Sequence, residues 1–375
     1  MKPLALTALL SLAALAARAD DDNFAAAARD GGIQKQIDAT KQKWNGGAQA
    51  APFASGAPEA NLTPEQTLQA WSHACPAIAA YRAVPHDKAK RGLGVSKHYH
   101  PGPSVLSYVN ASWYYTWTGE PIPGGSGEWV PLLQYPHNQD GDIAILKKDL
   151  GAIPPGTRHF LGFNEPDIGP KIKDNSPPLP DEAEKLMLRL MSFIPAGVKA
   201  DMTIGSPALA SPIIYKDKRN ELASWEADYD AAAAHDASSR DARQDFIATH
   251  LYSGIVIAKD DSPEAAAAKV QGVAKGWLDR LHALEAAYPG KKIWITEMGL
   301  MDPHGPASAD EVSFGAKDDA CFMAVTLSAV DRDPQVERYA WFNADPGAQK
   351  PLFKTLPGAL EKDGQMTPIA LLYSK

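Results

Sequence analysis

The 375-residue sequence has two cysteines, no basic block and, after its first residues, no long apolar run. Its net charge of −8 is spread along the chain, which argues against nucleic acid as a partner, because phosphate binding requires clustered Lys and Arg. No later apolar run approaches the roughly 20 residues of a transmembrane helix, so we expect no membrane partner. The sequence also lacks a glycine-rich phosphate loop and a Gly-x-Ser-x-Gly elbow, so a nucleotide enzyme or a serine hydrolase has no support.

The two cysteines, Cys75 and Cys321, leave one question open. In an exported protein they could form a disulfide, and the loop between them is long enough for a stabilisation of several kcal/mol in the chain-entropy model. Two buried free thiols are the alternative, and the sequence does not decide between them. Neither cysteine has the neighbours of a metal site or of a catalytic nucleophile.

The chain divides into three parts by composition. Residues 1–19 have a positive start at Lys2, an apolar stretch and a small-x-small end, which predicts a signal peptide and a secreted, extracellular or cell-wall-associated protein. Residues 20–62 are rich in Ala, Gly and Gln and have few large apolar side chains, so we expect a partly disordered N-terminal extension. Residues 63–375 are then expected to form a single domain.

Within that domain, short apolar runs alternate with helical segments. Predicted strands lie at residues 92–95, 105–113, 129–133, 159–163, 202–205, 246–251, 293–296 and 339–342. Predicted helices lie at residues 64–82, 181–194, 263–288 and 310–330. Eight strands joined by helices predict the α/β class and, within it, a (β/α)₈ TIM barrel.

Two glutamates follow two of these strands. Glu165 comes after the fourth strand and before Pro166, which cannot continue a ladder, and Glu297 closes the seventh. In a barrel both ends open into one mouth, and two facing carboxylates are what a retaining glycosidase needs. We assign Glu165 as general acid/base, with its pKa raised by the nearby charge of Glu297, and Glu297 as nucleophile. Either glutamate alone would favour a surface carboxylate; the pair favours catalysis.

Polar neighbours of these strand ends are the next candidates. Asn164 precedes the acid and could bind a sugar hydroxyl. Tyr252 could donate to Glu297, and His250 could face the mouth, although both could instead pack in the core. A metal at His98 and His100 has little support, because no carboxylate or cysteine motif accompanies them, so we expect no metal.

Aromatic residues crowd the second and eighth strands, and sugars stack on aromatic rings. Alternate residues of a strand face opposite sides, so half of these rings are expected to pack under helices. We favour Trp113 and Trp341 as ligand-facing over the other rings. Weaker substrate-binding candidates are Tyr115, Asn110, Gln134 and Ser206.

Several of these segments resemble glycoside hydrolase family 128. They are residues 162–167 (Gly-Phe-Asn-Glu-Pro-Asp), which carry the most specific likeness, and residues 90–93, 113–117, 249–252, 295–299 and 339–342. The family belongs to the clan of retaining (β/α)₈ glycosidases and acts on β-1,3-glucans. The resemblance therefore implies a catalytic domain with endo-β-1,3-glucanase activity, Glu165 as acid/base and Glu297 as nucleophile, and a β-1,3-glucan polysaccharide or oligosaccharide as substrate.

Two other functions stay open at this point. The protein could be a glucan-binding protein with little turnover, or it could apply the same chemistry to another β-linked polysaccharide. The presence of both carboxylates and of Asn164 favours an enzyme. We expect a monomer that requires no metal or organic cofactor.

Overall fold

A computed structural model describes residues 62–96, 102–136, 141–167, 180–210, 229–234, 244–255, 257–258, 260–301, 311–312, 314–342, 344, 360–362 and 365–375. The predicted signal peptide, nearly all of the predicted extension, and His98 and His100 lie outside these ranges. The assignments made there, and the domain boundaries, stay predictions.

The described chain begins with two short helices instead of the single helix predicted at residues 64–82. Helix α1 (Pro64–Ala74) starts after Thr63, whose hydroxyl accepts from the backbone N–H of Gln66 in a capping box. It ends at Cys75, and α2 (Pro76–Arg82) begins directly afterwards. Pro76 has no N–H to continue the first helix but is well suited to the first position of a new one.

Strands and helices then alternate along the chain. The first half contains β1 (Arg91–Gly94), α3 (Gly102–Tyr108), β2 (Trp113–Tyr115), β3 (Glu128–Trp129), β4 (Leu132–Gln134), α4 (Gly141–Gly151), β5 (His159–Asn164), α5 (Pro180–Met191), α6 (Ala196–Lys199) and β6 (Thr203–Ile204). After a helical stretch at 229–234, the second half contains β7 (Phe246–Gly254), β8 (Ile257–Ala258), α7 (Pro263–Ala287), β9 (Lys292–Met301), β10 (Glu311–Val312), α8 (Ala316–Val330), β11 (Val336–Trp341), β12 (Glu361–Lys362), β13 (Gln365–Met366) and α9 (Pro368–Tyr373).

Three sequence-based boundaries were wrong. The strand predicted at 105–113 is α3 followed by the start of β2, and Val105, Leu106 and Val109 are all buried. These residues fall on one helical face, and the two β-branched valines imitate the composition of a strand. Helix α8 begins at Ala316, not at residue 310. Strand β9 runs on to Met301, so that Glu297 lies inside the strand and not at its end.

The described strands form a mostly parallel α/β arrangement. One sheet has the order β3-β2-β1-β11-β9-β7 and another the order β4-β5-β6, and every pair within them is parallel. Two small antiparallel pairs, β8 with β10 and β12 with β13, lie outside these sheets. Single bridges link Gly205 to Phe246 and Leu209 to Thr249, beside β7. Between β3 and β4, the Val130 N–H donates to Tyr114 O, and Pro131 O accepts from Leu161 N–H.

The largest apolar cluster packs one side of the strands against α1, α2, α7 and α8. Cys75 and Cys321 lie in this cluster and form a disulfide, which answers the question left open by the sequence. The bond ties the end of α1 to α8. None of the described helices is long and apolar enough to cross a membrane.

A second set of side chains fills the space on the other side of the strands, around Trp113 and Trp294. The two rings lie 5.2 Å apart, centroid to centroid, and the Arg338 guanidinium lies 4.2 Å above the Trp294 ring. Gly92 makes room for this layer, because a Cβ there would come within 2.2 Å of the Trp113 ring. This aromatic layer lies toward the N-terminal ends of the strands, below the paired glutamates.

Candidate active site

The backbone at Glu165 is unusual. Strand β5 ends at Asn164, and Glu165 takes a left-handed conformation with φ of +45°, which costs a non-glycine residue about 1–3 kcal/mol. The Glu165 N–H still donates to Ala208 O at 2.8 Å. Pro166 then ends the ladder. The surrounding structure therefore holds a strained turn in place and keeps the Glu165 carboxyl only 6 % exposed.

Glu297 lies on strand β9, and its side chain extends toward the Glu165 carboxyl. It pairs with His250 of β7, and the register shifts between Thr249 and His250. Such irregularities re-aim side chains and are common beside active sites. Glu297 is 5 % exposed and His250 is fully buried.

The two glutamates and His250 form one tight cluster. One oxygen of each carboxyl group and a ring nitrogen of His250 all lie within 4.8 Å of one another. His250 Nδ1 hydrogen-bonds with Glu165 Oε1 at 2.9 Å and lies 3.5 Å from Glu297 Oε2. The structure thus brings together the carboxyls that the sequence analysis paired across 132 residues.

Two tyrosines hold Glu297. The Tyr252 hydroxyl donates to Oε2 at 2.5 Å, which confirms the predicted contact. The Tyr115 hydroxyl lies 3.2 Å from Oε1 and 3.0 Å from Thr296 O, so its single proton is shared between two acceptors. Tyr115 was expected to bind substrate, but in the structure it is fully buried and contacts Glu297 instead. Both Glu297 oxygens therefore have a phenol as partner.

The electrostatics separate the two carboxyl groups. Burial raises the pKa of Glu165 well above its usual range, and the charge of Asp167 raises it further. Glu297 was expected to cause this rise in the pKa of Glu165, but its causes are burial and the charge of Asp167. Burial also raises the pKa of Glu297, and the charge of Glu165 raises it further, but His250 and the hydrogen bonds from Tyr252 and Tyr115 act in the opposite direction. Glu165 is therefore the group favoured to carry a proton, and Glu297 the group favoured to be ionised.

Polar side-chain atoms without a hydrogen-bond partner among the described residues also lie near these carboxyls. Asn164 pairs with Gln134 across β5 and β4, which places both amides at the C-terminal end of their strands, as expected. Asn164 Oδ1 and His250 Nε2 are buried and have no hydrogen-bond partner among the described residues. Burial lowers the pKa of His250, which favours the neutral ring. Such groups suit the hydroxyls of a bound sugar.

Four of the proposed substrate-binding residues are not at this site. Trp113 is fully buried and donates its ring N–H to Lys90 O at 3.0 Å, in the layer below the glutamates. Trp341 is 1 % exposed and packs toward Phe322 of α8. Asn110 is exposed and follows α3, at the opposite end of β2 from the site. Ser206 is also buried, and its hydroxyl oxygen accepts a hydrogen bond from the Ala248 backbone N–H.

Two aromatic residues that were not singled out as substrate-binding candidates do lie near the site. The Phe342 ring contacts Trp117 at 6.0 Å and Tyr252 at 5.7 Å between centroids. Strand alternation could have found both, because Trp117 is two residues after Tyr115, and Phe342 is two after the inward-facing Ala340.

A cation is an alternative occupant, since two carboxylates and an imidazole are a set that divalent metals accept. Here, however, both Glu297 oxygens accept hydrogen bonds from phenols, and His250 Nδ1 bonds to Glu165. These contacts favour proton transfer over metal coordination. A second group of similar composition, formed by His282, Glu285 and Asp333, lies near the end of α7.

Comparison with known proteins agrees with this geometry. A family described as the glycosyl hydrolase catalytic core matches residues 102–373. Among curated proteins, none matches the chain. Among the solved structures that share its fold are three enzymes of family 128.

A subgroup I endo-β-1,3-glucanase from Amycolatopsis mediterranei, in complex with laminaritriose, is 21% identical with a TM-score of 0.52, covering 76% of this chain and 98% of that one. A subgroup II endo-β-1,3-glucanase from Sorangium cellulosum is 22% identical with a TM-score of 0.53, covering 76% and 97%. A subgroup III curdlan-specific exo-β-1,3-glucanase from Blastomyces gilchristii, in complex with glucose, is 21% identical with a TM-score of 0.50, covering 77% and 99%. Because the family model spans most of the sequence, the chain belongs to the glycosyl hydrolase catalytic core family and is a glycoside hydrolase.

Proposed function

We propose that the protein is a secreted endo-β-1,3-glucanase that retains the anomeric configuration of its substrate. The observation that carries the proposal is the approach of the Glu165 and Glu297 carboxyls, with oxygens within 4.8 Å of each other. Retaining glycosidases hold their carboxyl groups about 5–5.5 Å apart, whereas inverting enzymes leave about 6.5–9.5 Å for a water molecule. The spacing supports a direct attack on the sugar.

The reaction would take two displacements. In the first, ionised Glu297 attacks the anomeric carbon, the glycosidic C–O bond breaks, and Glu165 gives its proton to the leaving oxygen. In the second, Glu165, now a carboxylate, takes a proton from water. The resulting hydroxide attacks the same carbon, and the bond to Glu297 breaks. The Asn164 amide would bind the hydroxyl next to the reacting carbon.

One structural proposal accompanies this mechanism. We propose that the eight main strands close into a (β/α)₈ barrel, with β3 and β4 as one interrupted strand. The hydrogen bonds of Val130 and Pro131 to both neighbouring strands support this, as does the bridge from Gly205 to Phe246 beside β7. In such a barrel both glutamates face the C-terminal mouth, where barrel enzymes carry their chemistry.

The proposed substrate and the proposed secretion are supported by different observations. β-1,3-Glucan is the substrate class of the enzymes whose structures resemble this chain, two of them endo-acting and one exo-acting. Secretion is supported by the predicted signal peptide and by the Cys75–Cys321 disulfide, because such bonds persist in oxidising compartments.

Glutamine variants test the catalytic roles. Glu165→Gln and Glu297→Gln keep the side-chain shape and remove the acid group, so each should lower kcat on a soluble β-1,3-glucan by about 10³-fold or more. Glu264→Gln, on the exposed first turn of α7, is the matched control and should behave as the parent. Equal cleavage by parent and Glu297→Gln would end this assignment.

Product analysis tests the remaining parts. We expect the first-formed anomer, followed by NMR, to have the configuration of the substrate; the opposite anomer appearing first would exclude Glu297 as nucleophile. A panel of β-1,3-glucan, mixed-linkage glucan and mannan tests the linkage. Internal cleavage should release oligosaccharides of mixed length, whereas an exo-acting enzyme would release one short product.

A further inference from the structure

In the turn after Glu165, a side-chain hydrogen bond from Asp167 replaces a backbone hydrogen bond of the parallel ladder. Ala208 N–H donates to Phe163 O, and Glu165 N–H donates to Ala208 O, both at 2.8 Å. In a regular parallel ladder the Ala210 N–H would next find the carbonyl of residue 165. The left-handed backbone at Glu165 turns the chain away from that ladder. The Ala210 N–H donates instead to Asp167 Oδ1, at 2.9 Å.

The same aspartate contributes charge at the site. Glu165 is faced by several titratable groups: Asp167 from its own turn, His250 and Tyr252 from β7, Glu297 from β9 and Tyr115 from β2. Asp167 raises the pKa of Glu165, second only to burial, and also acts to raise that of His250. A negative charge beside a buried carboxyl disfavours its ionisation, because two like charges repel in a poorly solvated site.

We propose that Asp167 is a positioning residue, which fastens the strained Glu165 turn to the 208–210 segment and places a fixed negative charge beside the acid/base. Its role in turnover rests on the proposed function of Glu165. Asp167 itself does not transfer a proton. It acts through Glu165, by holding the backbone that carries it and by keeping the carboxyl in the form that a general acid needs.

Two substitutions separate these two actions. Asp167→Asn keeps an oxygen that can accept from Ala210 N–H but removes the charge. Asp167→Ala removes both. Asp245→Asn is the matched control, because Asp245 Oδ2 accepts from Ile204 N–H at 2.9 Å, a contact of the same kind near the N-terminal ends of the strands.

Two measurements read the outcome. The first is the NMR titration of the Glu165 side-chain carbon in labelled full-length protein, assigned by its loss in Glu165→Gln. The second is the pH profile of kcat/KM on laminarihexaose. We expect Asp167→Asn to shift the Glu165 titration and the alkaline limb of the profile to lower pH, with a melting temperature close to that of the parent. Asp167→Ala should show the same shift, together with a lower melting temperature and a lower kcat across the pH range.

Specific results would overturn each half. If Glu165 titrates identically in the parent and in Asp167→Asn, the proposed effect of the Asp167 charge on Glu165 is refuted. If the Asn and Ala variants have equal melting temperatures, the proposed stabilisation of the turn by the Asp167–Ala210 hydrogen bond is refuted. A shift of the same size in Asp245→Asn would show that the effect is not local. If the parent cleaves no glucan, the proposed function fails, whereas the titration and melting data still decide the inference.

Discussion

The hydroxyl of Tyr252 offers the most direct test of how Glu297, the proposed nucleophile, is prepared. In Tyr252→Phe the ring keeps its contact with Phe342, but Glu297 loses its shortest hydrogen bond, at 2.5 Å. Oε2 is then left with His250 Nδ1 at 3.5 Å. A hydrogen bond to a charged group contributes about 1.5–3 kcal/mol. If Glu297 needs that bond in the transition state, kcat/KM should fall about ten- to 150-fold.

The pH dependence of the same variant gives an independent reading. The Tyr252 hydrogen bond lowers the pKa of Glu297, so removing it raises that pKa. Because the nucleophile must be ionised, the acidic limb of the kcat/KM profile should move to higher pH. The alkaline limb, which is expected to report the proposed acid Glu165, should move little.

The control for this prediction is Tyr115→Phe. The Tyr115 proton is shared between Glu297 and Thr296 O, so its loss should reduce kcat/KM less than the loss of the Tyr252 hydroxyl. Both variants are assayed on laminarihexaose across pH, with melting temperatures to verify folding. A folded Tyr252→Phe enzyme with parental kcat/KM and a parental acidic limb would refute the reasoning.

Two further predictions concern stability and substrate contact. Replacing Cys75 and Cys321 together by Ala should lower the unfolding free energy in urea by up to about 5 kcal/mol, the chain-entropy value for a separation of 246 residues, and leave kcat of the folded enzyme unchanged. Loss of activity without loss of stability would contradict this. Trp113→Phe should destabilise by about 1–3 kcal/mol without changing KM, because its ring is buried, whereas Phe342→Ala should raise KM. The reverse pattern would place Trp113 in the groove after all.

Local sequence was sufficient to find the two glutamates. Glu165 could be recognised because Pro166 must stop the strand, and Glu297 because it follows a run of apolar residues. The C-terminal ends of parallel strands share one edge, so neither assignment depended on the exact register. Tyr252 followed from the same logic, since β7 and β9 are neighbours and the side chain two positions after His250 faces the same way.

The aromatic assignments failed because they did depend on register. A shift of one residue moves a side chain to the opposite face of a sheet, which is why Trp341 packs against α8 while the adjacent Phe342 faces the site. Trp113 was assigned to the correct face but to the wrong depth. Asn110 was misplaced because a helix, not a strand, precedes it.

Other features depend on tertiary contacts with no local signal. The pairing of Cys75 with Cys321 requires α1 and α8 to be neighbours, which spacing alone does not indicate. The bond from Ala210 to Asp167 likewise joins segments 43 residues apart. Glu165 has a positive φ, whereas a non-glycine residue favours a negative φ, so the conformation depends on the surrounding hydrogen bonds and not on the residue type.

That conformation means that folding and chemistry require different amino acids at one position. Glycine would adopt a φ of +45° without strain, but it has no carboxyl group to donate a proton. The protein is therefore less stable at this proposed acid than the fold alone would allow, and neighbouring hydrogen bonds must offset the difference. Stabilising substitutions should therefore be placed in the outer helices, because substitutions among the residues that surround this turn risk loss of function.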